Sequence, residues 1–136
     1  MTITIFIADT IGLKKSRILL KVLLDTSSTS TMILKSVLPK DIQPKKLQSR
    51  KAVAMLAGTL TATAMVWTRG IKLPEFEKNR QIDEQKCLIF DGKCRYDVIL
   101  GADFLTKAGI DMCYSDITVK WFGNSIPLKE PWSLSN

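Results

Sequence analysis

The residues with the clearest chemical potential stand together early in the chain, in the segment LLDTSSTSTMI at positions 23–33. Asp25 follows two leucines, and Thr or Ser occupies each of positions 26–30. A carboxylate held at the end of a strand can transfer protons as a general acid or base. The alternative is a polar turn, because Asp, Ser and Thr hydrogen-bond to nearby backbone and favour turns. Which interpretation holds depends on the elements around Asp25.

The composition limits the chemistry that is open to this protein. The sequence has no histidine, which excludes the Ser-His-Asp and Cys-His catalytic mechanisms. Its three cysteines, Cys87, Cys94 and Cys113, form no CxxC pair, so we expect neither a structural metal nor a disulfide framework. Unpatterned thiols suit a reducing compartment, and we predict a cytoplasmic protein without a cofactor. If the protein is a hydrolase, carboxylates must do the chemistry.

Size and charge describe a small globular protein with an excess of basic residues. A chain of 136 residues that is 46% hydrophobic predicts a single domain over residues 1–136, with a core at about 3–129. The net charge of +7 indicates either a polyanionic partner or a solvated basic surface. We favour the second, because no aromatic residues are interleaved with the basic clusters to stack on bases. A nucleic-acid partner is therefore kept only as an alternative.

The chain shows no pattern of export or membrane insertion. Its start, MTITIFIADTIGL, lacks a basic head and contains Asp9, unlike a signal peptide. The longest uncharged stretch, residues 52–68, is too short to span a bilayer comfortably, and two strands around Gly58 explain it better. We therefore expect no membrane partner.

Strand patterns dominate the sequence. Apolar alternation and short apolar runs predict strands at Thr2–Ile7, Arg17–Leu24, Thr31–Leu34, Lys51–Leu56, Leu60–Trp67, Cys87–Phe90 and Arg95–Leu100. Turn or connection signals occur at Gly12–Lys15, Pro39, Pro44, Ala57-Gly58, Asp91-Gly92, Ser115-Asp116, Gly123-Asn124, Pro127 and Pro131. The small residues at Ala57-Gly58 predict a hairpin tip that can move.

One helix is predicted, at Ala102–Ala108. Asp103 lies in its first turn and Lys107 near its end, as the helix dipole favours. Gly109 stands where a left-handed C-terminal cap is needed. Many short strands with a single late helix predict an all-β fold.

The order of these parts resembles that of a retropepsin-like aspartic protease. LLDTSSTSTMI at 23–33 resembles the catalytic loop, VAMLAGTLTA at 53–62 resembles the flap hairpin, and YDVILGADFLTKAGID at 96–111 resembles the apolar-apolar-Gly segment with its helix. ITVKWFGNSIPLK at 117–129 is similar to the last hairpin of proteases from gypsy-type long-terminal-repeat retroelement polyproteins. The resemblance implies a retropepsin-like closed barrel with one short C-terminal helix.

The resemblance also implies a homodimer and a mechanism. One chain supplies one Asp25, so the catalytic pair of the family requires a second copy on a two-fold axis. Two carboxylates at close range share one proton. One deprotonates the water that attacks the scissile peptide carbonyl, and the other protonates the carbonyl oxygen. The implied function is an aspartic endopeptidase that cleaves a retroelement polyprotein without a metal.

The active-site loop and the flap follow from the same resemblance. Thr26 would hydrogen-bond across the dimer axis, and Ser27 and Ser28 would complete the loop and its dimer contact. Ala57 and Gly58 would close over the substrate as the tip of the flap. The implied partners are therefore a second copy of the chain and an extended polypeptide.

Other residues have supporting roles. Those that would pack beneath the catalytic loop are Ile99, Leu100 and Gly101, the glycine allowing two backbones to approach closely. Asp97 has a turn or ion-pair interpretation, and Asp103 has a helix-dipole or cap interpretation. Neither is expected to take part in the chemistry, and nor is Asp9.

Ser27 departs from the family pattern, which has glycine at this position. A side chain there is expected to obstruct the substrate or tilt Asp25, because glycine is kept where backbone approach is tight. Activity is therefore a separate question from fold. The alternative functions are a catalytically inactive retropepsin-like domain that dimerises or binds peptides, and a small basic nucleic-acid-binding barrel.

Overall fold

Strands make up most of the residues that the computed structural model of this protein describes, which are 2–8, 17–38, 42–55, 58–73, 82–92, 94–113, 118–121 and 124–127. The strands are β1 (Thr2–Ala8), β2 (Arg17–Leu24), β3 (Met32–Leu34), β4 (Lys45–Met55), β5 (Gly58–Lys72), β6 (Ile82–Phe90), β7 (Val98–Leu100), β8 (Asp111–Cys113), β9 (Thr118–Trp121) and β10 (Asn124–Pro127). Helix α1 (Ala102–Ala108) lies between β7 and β8, and a 3-10 turn at Lys35–Val37 follows β3. The all-β prediction with one short late helix is confirmed.

Six of the strands pair in a ring. Their order is β1-β2-β7-β3-β6-β5, and β5 returns to β1 through the pairs Phe6↔Lys72 and Ile7↔Ile71. Strand β4 extends the sheet beyond the ring by pairing with β5. Joining the two ends of a sheet removes its exposed edges. The arrangement is the barrel that the sequence resemblance implies.

Strand β7 is inserted between two strands that precede it by more than sixty residues, β2 and β3. It runs parallel to β2, with Leu24 opposite Leu100, and antiparallel to β3. Its three residues are apolar and buried, which is typical of a strand covered on both faces. The insertion brings the end of β7, just before Gly101, beside the end of β2, just before Asp25.

Alternate side chains of β2 and β7 enter two different apolar clusters. Because successive strand residues point to opposite faces, one sheet can build a core on each side. The first cluster includes Val22, Leu24, Val98, Leu100, Phe104, Leu105 and Trp121. The second includes Leu23, Met32, Val53, Met65, Leu88, Phe90 and Ile99. The strand ends that carry the candidate site are therefore fixed from both faces.

Helix α1 has the bounds that the sequence predicts. Gly109 has a φ of 72°, and its N–H group donates to the carbonyls of Leu105 and Thr106, so the predicted left-handed cap is confirmed. The indole N–H of Trp121 donates to the carbonyl of Ala108 at 2.7 Å. This bond satisfies one of the last helix carbonyls and ties β9 to the helix.

Several strands differ in length from their predictions. β4 begins at Lys45 rather than Lys51, because the polar run before Lys51 pairs with β5 although it shows no apolar alternation. Between Lys46 and Lys51 the pairing is irregular, with five steps along β4 against two along β5. β5 continues to Lys72, and β6 starts at Ile82 rather than Cys87. The extensions of β4 and β5 lengthen the hairpin that these two strands form, and pairing irregularities of this kind allow strands to bend.

The predicted turn at Asp91-Gly92 is present, and Gly92 has a φ of 127°. The strands on either side of it, β6 and β7, are nevertheless not neighbours, because β3 lies between them. The second of these strands also starts at Val98 rather than Arg95. The Asp91-Gly92 pair therefore marks a turn of the chain, but the two strands that flank it do not form a hairpin.

The C-terminal strands form a second sheet in the order β10-β9-β8. Asn124, predicted as part of a turn, begins β10. The turns expected at Gly12–Lys15 and Ser115-Asp116, and the positions Pro39, Ala57 and Pro131, lie outside the described residues. No helix in the described part of the chain is long and apolar enough to cross a membrane.

Candidate active site

Asp25 stands at the end of β2 and is only 5% exposed. Its N–H group donates to the carbonyl of Leu100 at 3.0 Å, which ties it to the end of β7. Its carboxylate oxygen Oδ1 accepts a hydrogen bond from the N–H group of Ser27 at 2.9 Å and a second, short one from the Ser27 hydroxyl. The carboxylate is therefore held by its own loop.

The loop after Asp25 turns back on itself. The Ser28 N–H group donates to the Asp25 carbonyl at 3.2 Å, and the Ser28 hydroxyl donates to the Ser30 carbonyl at 2.7 Å. Ser28 is fully buried, whereas Thr26 and Ser27 are exposed. Ser27 is exposed even though its hydroxyl donates to Asp25, whereas the buried Ser28 side chain shapes the loop from within.

Gly101 lets the segment after β7 lie against this loop. A Cβ atom at Gly101 would stand 2.6 Å from the Ser30 carbonyl oxygen and 2.7 Å from that of Ser28. The next N–H group, that of Ala102, donates to the Ser28 carbonyl at 2.7 Å. Contacts this close leave no room for a side chain, so glycine is required for the approach of the two backbones.

A buried hydroxyl connects the loop to the helix. Thr31 is fully buried; its hydroxyl accepts from the Gly101 N–H group at 3.1 Å and donates to Oδ1 of Asp103 at 2.8 Å. Oδ2 of Asp103 accepts from the side-chain amide of Gln85 at 3.1 Å. Sequence reasoning missed this network, although Thr31 extends the hydroxyl run that the sequence singles out.

Asp103 lies in the first helical turn, as predicted, and its carboxylate accepts the N–H group of Phe104 at 2.8 Å. The residue before the helix is Gly101, which makes no side-chain cap hydrogen bond. The Asp103 carboxylate also joins the loop that follows Asp25 to β6 and the helix. This role depends on the contact between Thr31 and Asp103, which lie 72 positions apart in the sequence, so no local sequence pattern indicates it.

Asp97 also has a structural position. Its carboxylate accepts from the Lys21 N–H group at 2.9 Å, and its own N–H group donates to the Lys21 carbonyl at 2.8 Å. Its carbonyl accepts from the N–H group of Leu34 at 2.9 Å. Asp97 therefore holds β2 and β3 against the start of β7, which replaces the turn or ion-pair interpretation.

The remaining predicted site residues are distributed as follows. Ile99 and Leu100 are fully buried and lie opposite Leu23 and Leu24, directly before Asp25. Gly58 begins β5 opposite Met55. Ala57, predicted with it as the flap tip, lies outside the described residues. Within the described residues, no three His, Cys, Asp or Glu side chains are grouped to hold a metal ion.

A surface groove borders Thr26. Its lining consists of Thr26, the helix residues Ala102, Leu105 and Thr106, and the segment 109–112 that leads into β8. Strand β8 lies at one edge of the C-terminal sheet, whereas β9 is the central strand between β8 and β10 and is paired on both sides within the chain.

Comparison with known proteins agrees with this geometry. The family model described as retroviral aspartyl protease matches residues 3–113. This range contains the Asp25 loop, the β4–β5 hairpin, β7 and the whole of α1. No curated protein is similar enough in sequence to be matched to the chain. Because the family model covers most of the sequence, the chain belongs to the retroviral aspartyl protease family.

Proposed function

We propose that the protein is an aspartic endopeptidase that acts as a homodimer and uses Asp25 of each chain. The observation that carries this proposal is the position of Asp25, a buried carboxylate at the junction of two parallel strands. Backbone hydrogen bonds hold it on one side. A carboxylate whose position is fixed by hydrogen bonds in this way can act as a general acid or base toward a bound substrate.

The reaction uses two such carboxylates. When the loops of two chains meet, two closely spaced Asp25 side chains share one proton, because both cannot be ionised at short range. The ionised member takes a proton from a water molecule that attacks the peptide carbonyl. The protonated member donates to the carbonyl oxygen, and the roles reverse as the amine leaves.

The homodimer is supported by the surface around the loop. Thr26 is exposed next to a buried carboxylate, and it borders the groove between α1 and β8. A second copy placed against Thr26 and this groove would bring the two Asp25 loops together at a two-fold axis. The edge of β8 offers a further pairing surface beside the groove.

The proposed substrate is the polyprotein of a retroelement, in a reducing cytoplasmic setting. The similarity of segment 117–129 to the last hairpin of retroelement proteases supports this assignment. The free thiols of Cys87 and Cys94 are compatible with a reducing compartment. Within the polyprotein, the protease would act on extended segments that fit beneath the β4–β5 hairpin.

The second candidate is a retropepsin-like domain that dimerises or binds peptides without cleaving them. It is favoured by one observation, the hydroxyl of Ser27 on Oδ1 of Asp25. This hydroxyl occupies a carboxylate lone pair that the shared proton or the attacking water would use. The choice between the two candidates therefore depends on whether a substrate displaces the Ser27 side chain.

Peptide cleavage tests the proposal. Purified protein is incubated with a mixed peptide library between about pH 4 and 6, where a carboxylate pair holds one proton. Cleavage sites are read by mass spectrometry, and the dimer fraction is measured in parallel by sedimentation. Cleavage by the wild-type dimer, absent with Asp25→Asn at equal dimer content, supports an endopeptidase. Peptide binding without cleavage supports the second candidate.

A further inference from the structure

A second pocket opens on the flap side of the catalytic-type loop. It has a volume of about 250 Å³ and is lined by Thr29, Ser30, Lys51, Lys86, Leu88 and Asp103. The mechanism proposed above uses neither of its two lysines. A volume of this size accommodates one side chain, since a water molecule occupies about 30 Å³ in the liquid.

The pocket is lined by residues of the Asp25 loop and of the β4–β5 hairpin, between which the proposed function places the peptide substrate. Thr29 and Ser30 belong to the same loop as Asp25, four and five residues further on. Lys51 lies on β4, the strand that leads to the hairpin tip. A peptide bound between the Asp25 loop and this hairpin would extend from Asp25 past Thr29 and reach the pocket with a side chain several positions from the cleaved bond.

The charges of the pocket favour an anion. Lys51 and Lys86 are exposed, and no ion pair to either is found within the described residues. The carboxylate of Asp103 accepts hydrogen bonds from Thr31, from Gln85 and from the N–H group of Phe104. The Asp103 carboxylate therefore already accepts three hydrogen bonds from within the chain. The pocket has two ammonium groups against this one carboxylate, so its net charge is positive.

The irregular pairing of β4 explains how Lys51 comes to this position. The extra residues between Lys46 and Lys51 interrupt the regular pairing, and irregularities of this kind redirect side chains near sites. Lys86 approaches from β6, directly opposite Trp67 of β5. Trp67 is 47% exposed, so an apolar ring stands beside the cationic pocket.

We propose that this pocket is a specificity subsite that selects an acidic side chain, Asp or Glu, in the peptide substrate. The hydroxyls of Thr29 and Ser30 add donors for the carboxylate, and Leu88 contacts the methylene groups that carry it. The net charge of +7 adds a general attraction for acidic segments. This inference rests on the proposed endopeptidase function, since the ligand is the substrate of the same site.

The experiment compares matched peptides. A peptide cleaved by the wild-type protein is varied so that each position in turn carries Glu or the isosteric Gln. One position is expected to prefer Glu by about tenfold in kcat/KM. Lys51→Ala and Lys86→Ala should each reduce this Glu/Gln preference about threefold, and the double variant should abolish it.

Lys46→Ala is the matched control, because Lys46 is an exposed lysine on the same strand and does not line the pocket. It should leave the Glu preference intact. The double variant Lys51→Glu, Lys86→Glu should prefer a Lys peptide at the same position. A Glu preference that survives both charge changes, or is absent from every position, would overturn the subsite.

Binding separates the subsite from catalysis. The same Glu and Gln peptides, carrying a fluorescent label, are titrated into the Asp25→Asn dimer, and affinity is followed by anisotropy. If the Asp25→Asn dimer prefers the Glu peptide and loses this preference when Lys51→Ala and Lys86→Ala are added, the subsite is supported, even where the wild-type protein cleaves no peptide. Equal binding of Glu and Gln peptides overturns the subsite and leaves the endopeptidase to be judged by cleavage alone.

Binding of single-stranded DNA is measured in the same way for the protein with and without Lys51→Ala and Lys86→Ala. If these substitutions abolish DNA binding and leave the peptide preference unchanged, the two lysines bind nucleic acid and the proposed subsite is overturned.

Discussion

The hydroxyl of Ser27 and the carboxylate of Asp25 are hydrogen-bonded to each other within one loop, through the same oxygen that accepts the Ser27 N–H group. Glycine at position 27 would provide the N–H bond and leave the second lone pair of Oδ1 open. The serine therefore adds a donor where the proposed reaction needs an acceptor. It also adds volume at an exposed position beside the candidate cleft.

Removing this side chain is expected to accelerate cleavage. Ser27→Gly should raise kcat/KM by at least about tenfold, or create activity where none is measured, because small displacements of reacting groups cost large factors in rate. Ser27→Ala removes the hydroxyl and retains Cβ. We expect it to recover most of the gain, because the hydroxyl is the atom that contacts Asp25.

Steady-state cleavage of one peptide at equal dimer content measures this effect. Stability should fall only slightly in Ser27→Gly, through the greater freedom of glycine in the unfolded chain. If neither variant is faster than the wild type, Ser27 is not the obstruction. A gain with Gly and none with Ala would identify the volume of the side chain rather than its hydrogen bond as the cause.

Asp25→Asn is expected to abolish cleavage and to preserve the fold. The amide oxygen of Asn can still accept the Ser27 N–H bond, so the loop has the same support. The variant cannot act as a base, and activity should fall by at least about a thousandfold. Asp91→Asn is the control, because Asp91 is an exposed turn residue. Residual activity of Asp25→Asn near the wild-type value would refute the assignment of the catalytic carboxylate.

The features that the sequence predicts well are determined by residues that are close together in the sequence. The Arg17–Leu24 strand is signalled by its own apolar run, and the helix is signalled by its dipole charges and by Gly109, so both were found with the correct bounds. The place of Asp25 at the end of that strand is predictable for the same reason, since the strand, the carboxylate and the hydroxyl run are contiguous in sequence.

The features that were missed depend on contacts between distant parts of the chain. Thr31 and Asp103 are 72 positions apart, and each has an ordinary local explanation. The insertion of β7 between β2 and β3 is likewise set by tertiary pairing and not by the turn at Gly92. Lys45–Arg50 joins β4 because β5 offers a partner, although its polar pattern resembles a loop.

Gly101→Ala is expected to be strongly destabilising. Its methyl group would stand within 2.7 Å of the carbonyls of Ser28 and Ser30, and these are backbone atoms of the loop that holds Asp25. We expect a loss of about 3 kcal/mol in the free energy of unfolding, measured by urea denaturation. Gly109→Ala, where φ is 72° and no atom lies within 4 Å, should cost about 1 kcal/mol. An equal or smaller loss at Gly101 would contradict the close packing of loop and helix.

Thr26→Ala is expected to weaken the proposed dimer without unfolding the chain. Thr26 is exposed and borders the groove between α1 and β8. Loss of its hydroxyl from both chains should raise the dissociation constant about tenfold, as measured by sedimentation over a dilution series. Thr63→Ala, an exposed threonine of β5 outside the groove, is the matched control. A dimer that is equally stable in both variants would place the interface elsewhere.

Cys87 is expected to be chemically silent in the folded protein. It is buried in the first apolar cluster, and burial raises the pKa of its thiol from the ordinary 9.0 to about 12, partly opposed by the hydrogen bond with Thr68. Because the thiolate is the reactive form, iodoacetamide at pH 8 should label the half-buried Cys94 far faster than Cys87. Site-resolved mass spectrometry measures both rates in one sample, and urea should remove the difference.

The same raised pKa predicts how stability depends on pH. The folded state retains the Cys87 proton to higher pH than the unfolded state, so this contribution to stability is complete below pH 9 and is lost between pH 9 and 12. The slope from this one group is at most about 1.4 kcal/mol per pH unit. Cys87→Ala should therefore lose stability less steeply than the wild type in that window, whereas Cys94→Ala should follow the wild type. Parallel curves for the wild type and Cys87→Ala, together with equal labelling of the two thiols in the native state, would mean that Cys87 is not enclosed by the barrel core.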